Sequence, residues 1–185
     1  MITSIFNQNI MKILTLFSIS PGSRFLRNDL KEKTKLNNAT LDESLNILFA
    51  SKILKKEKRM IILNLEYKEI INLIKKDHLH LNNLYTEAYF PILDLIFYLS
   101  KLKHIQAYLF GSHAKLIYND KSDIDIAIVS NHISQKEKSK LNSVVKKIEK
   151  RYKKQIELHY FGNDFYKNKK EPLVNDILKN GRQIV

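Results

Sequence analysis

Between Leu109 and Val129 the chain reads LFGSHAKLIYNDKSDIDIAIV, an apolar run that ends in Gly-Ser and a second apolar run that carries two acids. Successive strand residues point to opposite faces. Asp123 and Asp125 therefore share one face, while Ile124, Ile126 and Ile128 share the other. The Ile face demands a covering layer. The acidic face sets two carboxylates roughly 6–7 Å apart by the strand rise. At an effective dielectric of ~20 they repel by about 2–3 kcal/mol. Such a pair stays in water, takes up a proton, or holds a cation between its members. Hard divalent ions such as Mg²⁺ take carboxylate oxygens and keep positions open for phosphate.

The start of the stretch supplies the phosphate side. Gly111-Ser112 follows the strand-like IQAYLF directly. Glycine lets the backbone approach an anion and aim an N–H at it. The Ser112 hydroxyl can donate to the same group, and a helix opening at His113-Ala114-Lys115 would add its dipole. The surrounding chain alternates β and α. Strands are expected at 105–110, 124–129 and 156–161. Between the last two, Ser134 and Glu137 form a capping box ahead of Leu141, Val144, Val145, Ile148 and Tyr152 at helical spacing. Pro172 opens a last helix, Gly181 closes it, and 182–185 offers a short edge strand.

The first 65 residues follow a different grammar. Ile10, Ile13, Leu14 and Phe17 mark a helix that Pro21-Gly22 ends. A second helix is expected over 25–33. A third follows an Asn37-Asn38 N-cap, with Leu41, Leu45, Leu48 and Phe49 inward. Two β-like runs, 52–55 and 60–65, are joined by the charged KEKR. Residues 67–103 read as helical, with a helix over 67–76 and another that has Pro91 in its first turn. The stretch MKILTLFSISPGS from Met11 has the look of a short signal peptide but lacks a small-x-small site, so a core helix is expected. No apolar run reaches the ~18 residues of a membrane span, and no membrane association is expected.

The formal net charge is +13, with 44% hydrophobic and 28% charged residues and no cysteine. That balance describes a folded chain and fits a reducing cytoplasm. It favours polyanionic partners, although a Lys-, Ile- and Asn-rich composition also follows from an AT-rich genome.

Gly111-Ser112, ten residues, then Asp123-Ile124-Asp125 resembles the signature of the polymerase-β-like nucleotidyltransferases. The preceding Leu-Phe, Ala114, Ser122 and the tail EPLVNDILKNGRQIV resemble the minimal branch of that superfamily. The resemblance implies Mg²⁺ (or Mn²⁺) held by Asp123 and Asp125, with Gly111, Ser112, His113 and Lys115 toward the nucleotide. It also implies a third carboxylate on a later strand, for which Glu157 in QIELHYF is the candidate, where relatives usually have Asp. Asp164 is next in line. The common Arg-Gly after the Gly-Ser reads Lys115-Leu116 here. Lys115 keeps the charge but not the bidentate fork, and Leu116 replaces a flexible glycine. The implied reaction moves a nucleotidyl group from an NTP, ATP by preference, to a protein or nucleic-acid hydroxyl, as in antitoxins that modify a partner toxin. His159 shares the Glu157 face and can serve as an outer partner of the metal or as an ordinary polar residue. His78 and His80 are expected to be solvated.

The first segment, by its helix–helix–helix–hairpin layout, resembles a winged helix-turn-helix domain. Its basic residues Arg24, Arg27, Lys31, Lys33 and Lys35 surround the second helix, and Lys55, Lys56, Lys58 and Arg59 sit on the hairpin. In such domains the third helix enters the major groove and the wing touches backbone. Here that helix exposes Asn38, Asp42, Glu43 and Asn46, and carboxylates repel phosphate. DNA contact through the backbone and a packing or homodimer role both stand open. The expected class is thus α/β (α+β): a winged-helix-like domain at 1–66, a helical linker at 67–87, and a small mixed-sheet nucleotidyltransferase fold at 88–185. A DNA-binding regulator that senses nucleotide without turnover is the competing reading.

Overall fold

A computed structural model describes residues 7–81 and 83–185, which divide into a first compact unit ending at Leu79 and a second starting at His80. In the first unit α1 (Gln8–Ile19) is capped by Asn7, whose side chain accepts from Asn9 N. Ile10, Ile13, Leu14 and Phe17 are buried, as their spacing predicts. After α1 come β1 (Arg24–Phe25), α2 (Arg27–Thr34), α3 (Asn38–Ala50), β2 (Leu54–Glu57), β3 (Met60–Leu63) and α4 (Lys68–Asp77). The strands form one antiparallel sheet in the order β1-β3-β2.

Phe25, expected in the second helix, is instead in β1 opposite Ile61. Its ring meets Phe17 edge-on at 5.2 Å. Burying that aromatic against α1 outweighs one more turn of helix. Asn37 caps α3 by accepting from Thr40 N. The hairpin turns at Lys58, which takes a left-handed φ of 57°. His78, expected in solvent, is buried at the end of α4, where the apolar face of Ile71 and Ile74 carries it inward.

The second unit runs α5 (Thr86–Leu99), β4 (Gln106–Phe110), α6 (Gly111–Lys115), β5 (Ile124–Val129), α7 (Gln135–Tyr152), β6 (Ile156–Phe161), α8 (Pro172–Asn180) and β7 (Arg182–Gln183). Its sheet has the order β6-β5-β4-β7. β4 is antiparallel to β5 and β7, and β5 is parallel to β6 across the α7 crossover. Ser134 and Glu137 make the expected reciprocal cap, with Glu137 N donating to Ser134 Oγ and Ser134 N donating to Glu137 Oε2.

Pro91 lies inside α5 rather than in its first turn. The helix starts earlier, at Thr86, and its first turns are buried all round at Ala88, Tyr89 and Phe90. The intrahelical bond that Pro91 cannot make falls to the carbonyl of Glu87, in the first turn. α5 packs on α7, and the two are tied by a buried carboxylate. Asp94 Oδ2 accepts from Arg151 Nη1 at 2.9 Å and from Tyr152 Oη at 2.8 Å.

Strand alternation divides the second sheet cleanly. Leu109, Ile124, Ile126 and Ile128 are fully buried on one face. On the other, Phe110, Ala127 and Val129 pack with Phe165 and with Val174 and Ile177 of α8. Asp125, Glu157 and His159 share this second face by register, Asp125 beside Glu157 and Ala127 beside His159.

Candidate active site

The corner between β4 and α6 is built around Gly111. Its φ of +66° is left-handed, a conformation that costs a side-chain-bearing residue about 1–2 kcal/mol. Space is the harder constraint, because a Cβ placed there would overlap Asp125 Oδ2 and come within 3.0 Å of its Cγ. The strand end with the backbone N–H groups and the strand with the carboxylate therefore meet in van der Waals contact. Ser112 follows, half-buried, and its carbonyl accepts from Ile117 N at 3.0 Å, closing the short helix.

Asp125 is partly buried, while Asp123, one residue ahead of β5, is exposed. Burial, and after it the charge of Glu157, hold the Asp125 carboxyl above its ordinary range; His159 opposes this and Asp123 adds to it. An ionised Asp125 is thus short of a counter-charge. Ligand-capable atoms of Asp125, Glu157 and His159 lie within 4.8 Å of one another. His159 Nε2 is 3.6 Å from Glu157 Oε1. Two oxygens and one nitrogen at that spacing suit a divalent cation. Asp123 is outside this threesome and reaches Asp125 through its charge.

The other expected nucleotide contacts have local partners. Lys115 Nζ is 2.8 Å from Asp176 Oδ1 of α8, which holds Asp176 below the usual carboxylate range. His113 is fully buried, with its ring stacked on Tyr118 at 4.2 Å and 15°. Neither of its nitrogens makes a well-formed hydrogen bond among the described residues, though the Asp123 backbone favours its protonated form. Burial first, and Lys154 second, push its pKa down to about 4, against the influence of Asp123. The imidazole is neutral near pH 7 and supports the 116–123 loop from beneath.

Leu116 takes the left-handed φ of 60° that ends α6, so a leucine occupies the conformation a glycine would adopt freely. A reading along the chain leaves His159 an outer partner at most and misses Lys154. His159 joins the carboxylates through the β5–β6 register. Lys154, just past α7, donates to Asp120 O at 2.9 Å and brings a positive charge to the loop beside Asp123.

The basic residues of the first unit divide in two. Arg27 forks onto Asp42 at 2.7 and 2.8 Å, and Arg24 pairs with Glu57 at 2.9 Å. Lys55 lies 3.7 Å from Glu57, and Lys56 sits over the Phe49 ring. Lys31, Lys33, Lys35, Lys58 and Arg59 have no ion pair among the described residues.

Residues 94–185 match the family model described as Polymerase beta, Nucleotidyltransferase, which supports a nucleotidyltransferase domain in the second unit. A nucleotide is the substrate this implies. Comparison with curated proteins gives no match. No helix among the described residues is long and apolar enough to cross a membrane.

Proposed function

We propose that the second unit transfers a nucleoside monophosphate group from an NTP, ATP by preference, to a hydroxyl of a protein or nucleic acid. A partner toxin is one such protein acceptor. The observation that carries this reading is the contact between Gly111 and the Asp125 carboxylate, because it joins an anion-receiving backbone to a cation-receiving side chain. Gly111 N–H and the Ser112 hydroxyl receive the terminal phosphates. Asp123, Asp125 and Glu157 would hold Mg²⁺ or Mn²⁺, which when bound neutralises the triphosphate and polarises the reacting phosphoryl oxygens. The fit rests on Asp125 and Glu157, which lie with His159 in one group of ligand-capable atoms, and on the raised carboxyl of Asp125; Asp123 joins through its charge on Asp125.

In the reaction the acceptor oxygen bonds to the α-phosphorus while the bond from that phosphorus to the α–β bridging oxygen breaks. Pyrophosphate leaves with the electron pair, and Glu157 accepts the acceptor proton. Lys115, once released from Asp176, would offer its charge to the leaving phosphates. The test is incubation of the pure protein with labelled ATP, GTP, CTP or UTP and cell lysate. Label moving to a macromolecule with release of pyrophosphate supports the reading, and loss of the signal in the variant Asp123→Asn with Asp125→Asn ties it to this site.

The first unit supports a second role, a winged-helix-type contact with nucleic-acid backbone. Lys33, Lys35, Lys58 and Arg59 are exposed and free of ion pairs among the described residues, whereas Arg27 is neutralised by Asp42. A regulator that senses nucleotide without turnover differs from the enzyme in one measurable respect: it binds NTP and transfers nothing.

A further inference from the structure

The sequence pattern points to an all-carboxylate metal centre, yet the side chains that come together are two carboxylates and an imidazole. Their meeting follows from the sheet. β5 and β6 are parallel, with Asp125 beside Glu157 and Ala127 beside His159. All four side chains share one face. The small Ala127 leaves the imidazole room beside its strand neighbour. Phe110, opposite Asp125 on β4, meets the His159 ring edge-on at 5.1 Å and 74°. That contact fixes the ring plane. Nε2 then lies 3.6 Å from Glu157 Oε1, within the 4.8 Å that spans the potential ligand atoms of all three residues.

We infer that His159 supplies a nitrogen ligand to the metal held by Asp125 and Glu157, and that the site thereby prefers Mn²⁺ and the later first-row ions to Mg²⁺. The inference deepens the proposed nucleotidyl transfer, on which it rests for the identity of the site. Magnesium is a hard ion that takes oxygen donors and dehydrates reluctantly. Imidazole suits zinc, copper, iron and nickel, and the affinity of a mixed nitrogen–oxygen site rises from Mn²⁺ along the first row. A site with one imidazole among two carboxylates gains little with Mg²⁺ from its nitrogen and gains more with each softer ion. Glu157 is one methylene longer than the aspartate usual at its position.

The direct test is pulsed electron paramagnetic resonance of Mn²⁺ bound to the full chain. The inference predicts a ¹⁴N modulation of imidazole type in the wild type and its disappearance in His159→Ala. Calorimetry on the same proteins should show Mn²⁺ bound more tightly than Mg²⁺. His159→Ala should lose at least the ~10-fold in Mn²⁺ affinity that even outer partners of a metal contribute, with Mg²⁺ binding little changed. His159→Asp should shift the preference back toward Mg²⁺. Absence of nitrogen coupling in the wild type overturns the inference whatever the variants do, since that measurement needs no substitution. Nucleotide transfer without nitrogen coupling refutes the histidine ligand and leaves the proposed reaction standing. Nitrogen coupling without transfer to any acceptor supports the ligand and counts against the reaction.

Discussion

Replacing Gly111 with alanine perturbs both halves of the site through one methyl group. The left-handed backbone at φ +66° penalises alanine by about 1–2 kcal/mol. The narrower unfolded ensemble of alanine returns roughly 0.4–1 kcal/mol. The backbone term alone thus lowers stability by about 1 kcal/mol. The larger effect is steric. The new Cβ overlaps Asp125 Oδ2 and leaves 3.0 Å to Cγ, so the Asp125 side chain has to rotate away from the corner. Rotation by an ångström or so takes its oxygens off Glu157 and His159, and misplacement on that scale costs on the order of 100-fold in rate. Gly22→Ala is the control, because a Cβ at Gly22 meets nothing within 4 Å. Thermal unfolding and labelled-nucleotide transfer are measured on both variants. Gly111→Ala should unfold a few degrees lower and transfer about 100-fold more slowly, with Gly22→Ala at wild-type rate. Wild-type melting and transfer in Gly111→Ala would refute the reasoning.

Further outcomes follow from the same geometry. The Asp125 carboxyl is held above its ordinary value by burial and by Glu157, so its contribution to folding is fully present below the unfolded value of 3.8 and is lost as pH rises through the folded value. Asp125→Asn should therefore melt higher than wild type at pH 7, with the gain fading toward pH 3.8, while transfer is abolished; a lower melting point at pH 7 contradicts this. The pKa of His113, pushed down to about 4 from 6.5, stabilises the fold above 6.5 and loses that contribution as pH falls toward 4. His113→Phe should flatten that limb of a melting-temperature profile. Asp94→Ala removes the acceptor shared by Arg151 and Tyr152 and should cost about 1–3 kcal/mol in denaturant titration, with Tyr152→Phe costing less. If the first unit binds nucleic acid, Lys58→Ala with Arg59→Ala should weaken binding to all sequences alike and flatten the logarithmic salt slope by up to about 2.

The strands of the second unit were legible because each is bounded by strong local signals. The run IDIAIV lies between a polar turn and a capping box, and β6 forms over the residues expected of it. The Gly-Ser corner was legible for the same reason, as a small-residue pair at the end of an apolar strand. The meeting of Asp125, Glu157 and His159 was not. Strand alternation puts His159 on the Glu157 face, but only the parallel register of β6 on β5 brings that face beside Asp125, and sheet order is a long-range property. Lys115 reads as a free cation until α8 carries Asp176 back across the corner from 61 residues away. His113 reads as a polar residue in a phosphate loop, and its stacking on Tyr118 and full burial follow from tertiary packing that the sequence does not display. Phe25 and Pro91 were misplaced for one shared reason: tertiary burial of aromatic neighbours set the element boundaries against local preference.

The most direct test of the central claim is a transfer assay with α-labelled NTP in the presence of Mg²⁺ or Mn²⁺, run on the full chain beside Asp123→Asn with Asp125→Asn. The account predicts that the wild type moves label onto a macromolecular acceptor and releases pyrophosphate, and that the double variant does neither while keeping its fold. Equal labelling by the double variant, or a wild type that neither binds nor transfers any of the four nucleotides, contradicts it.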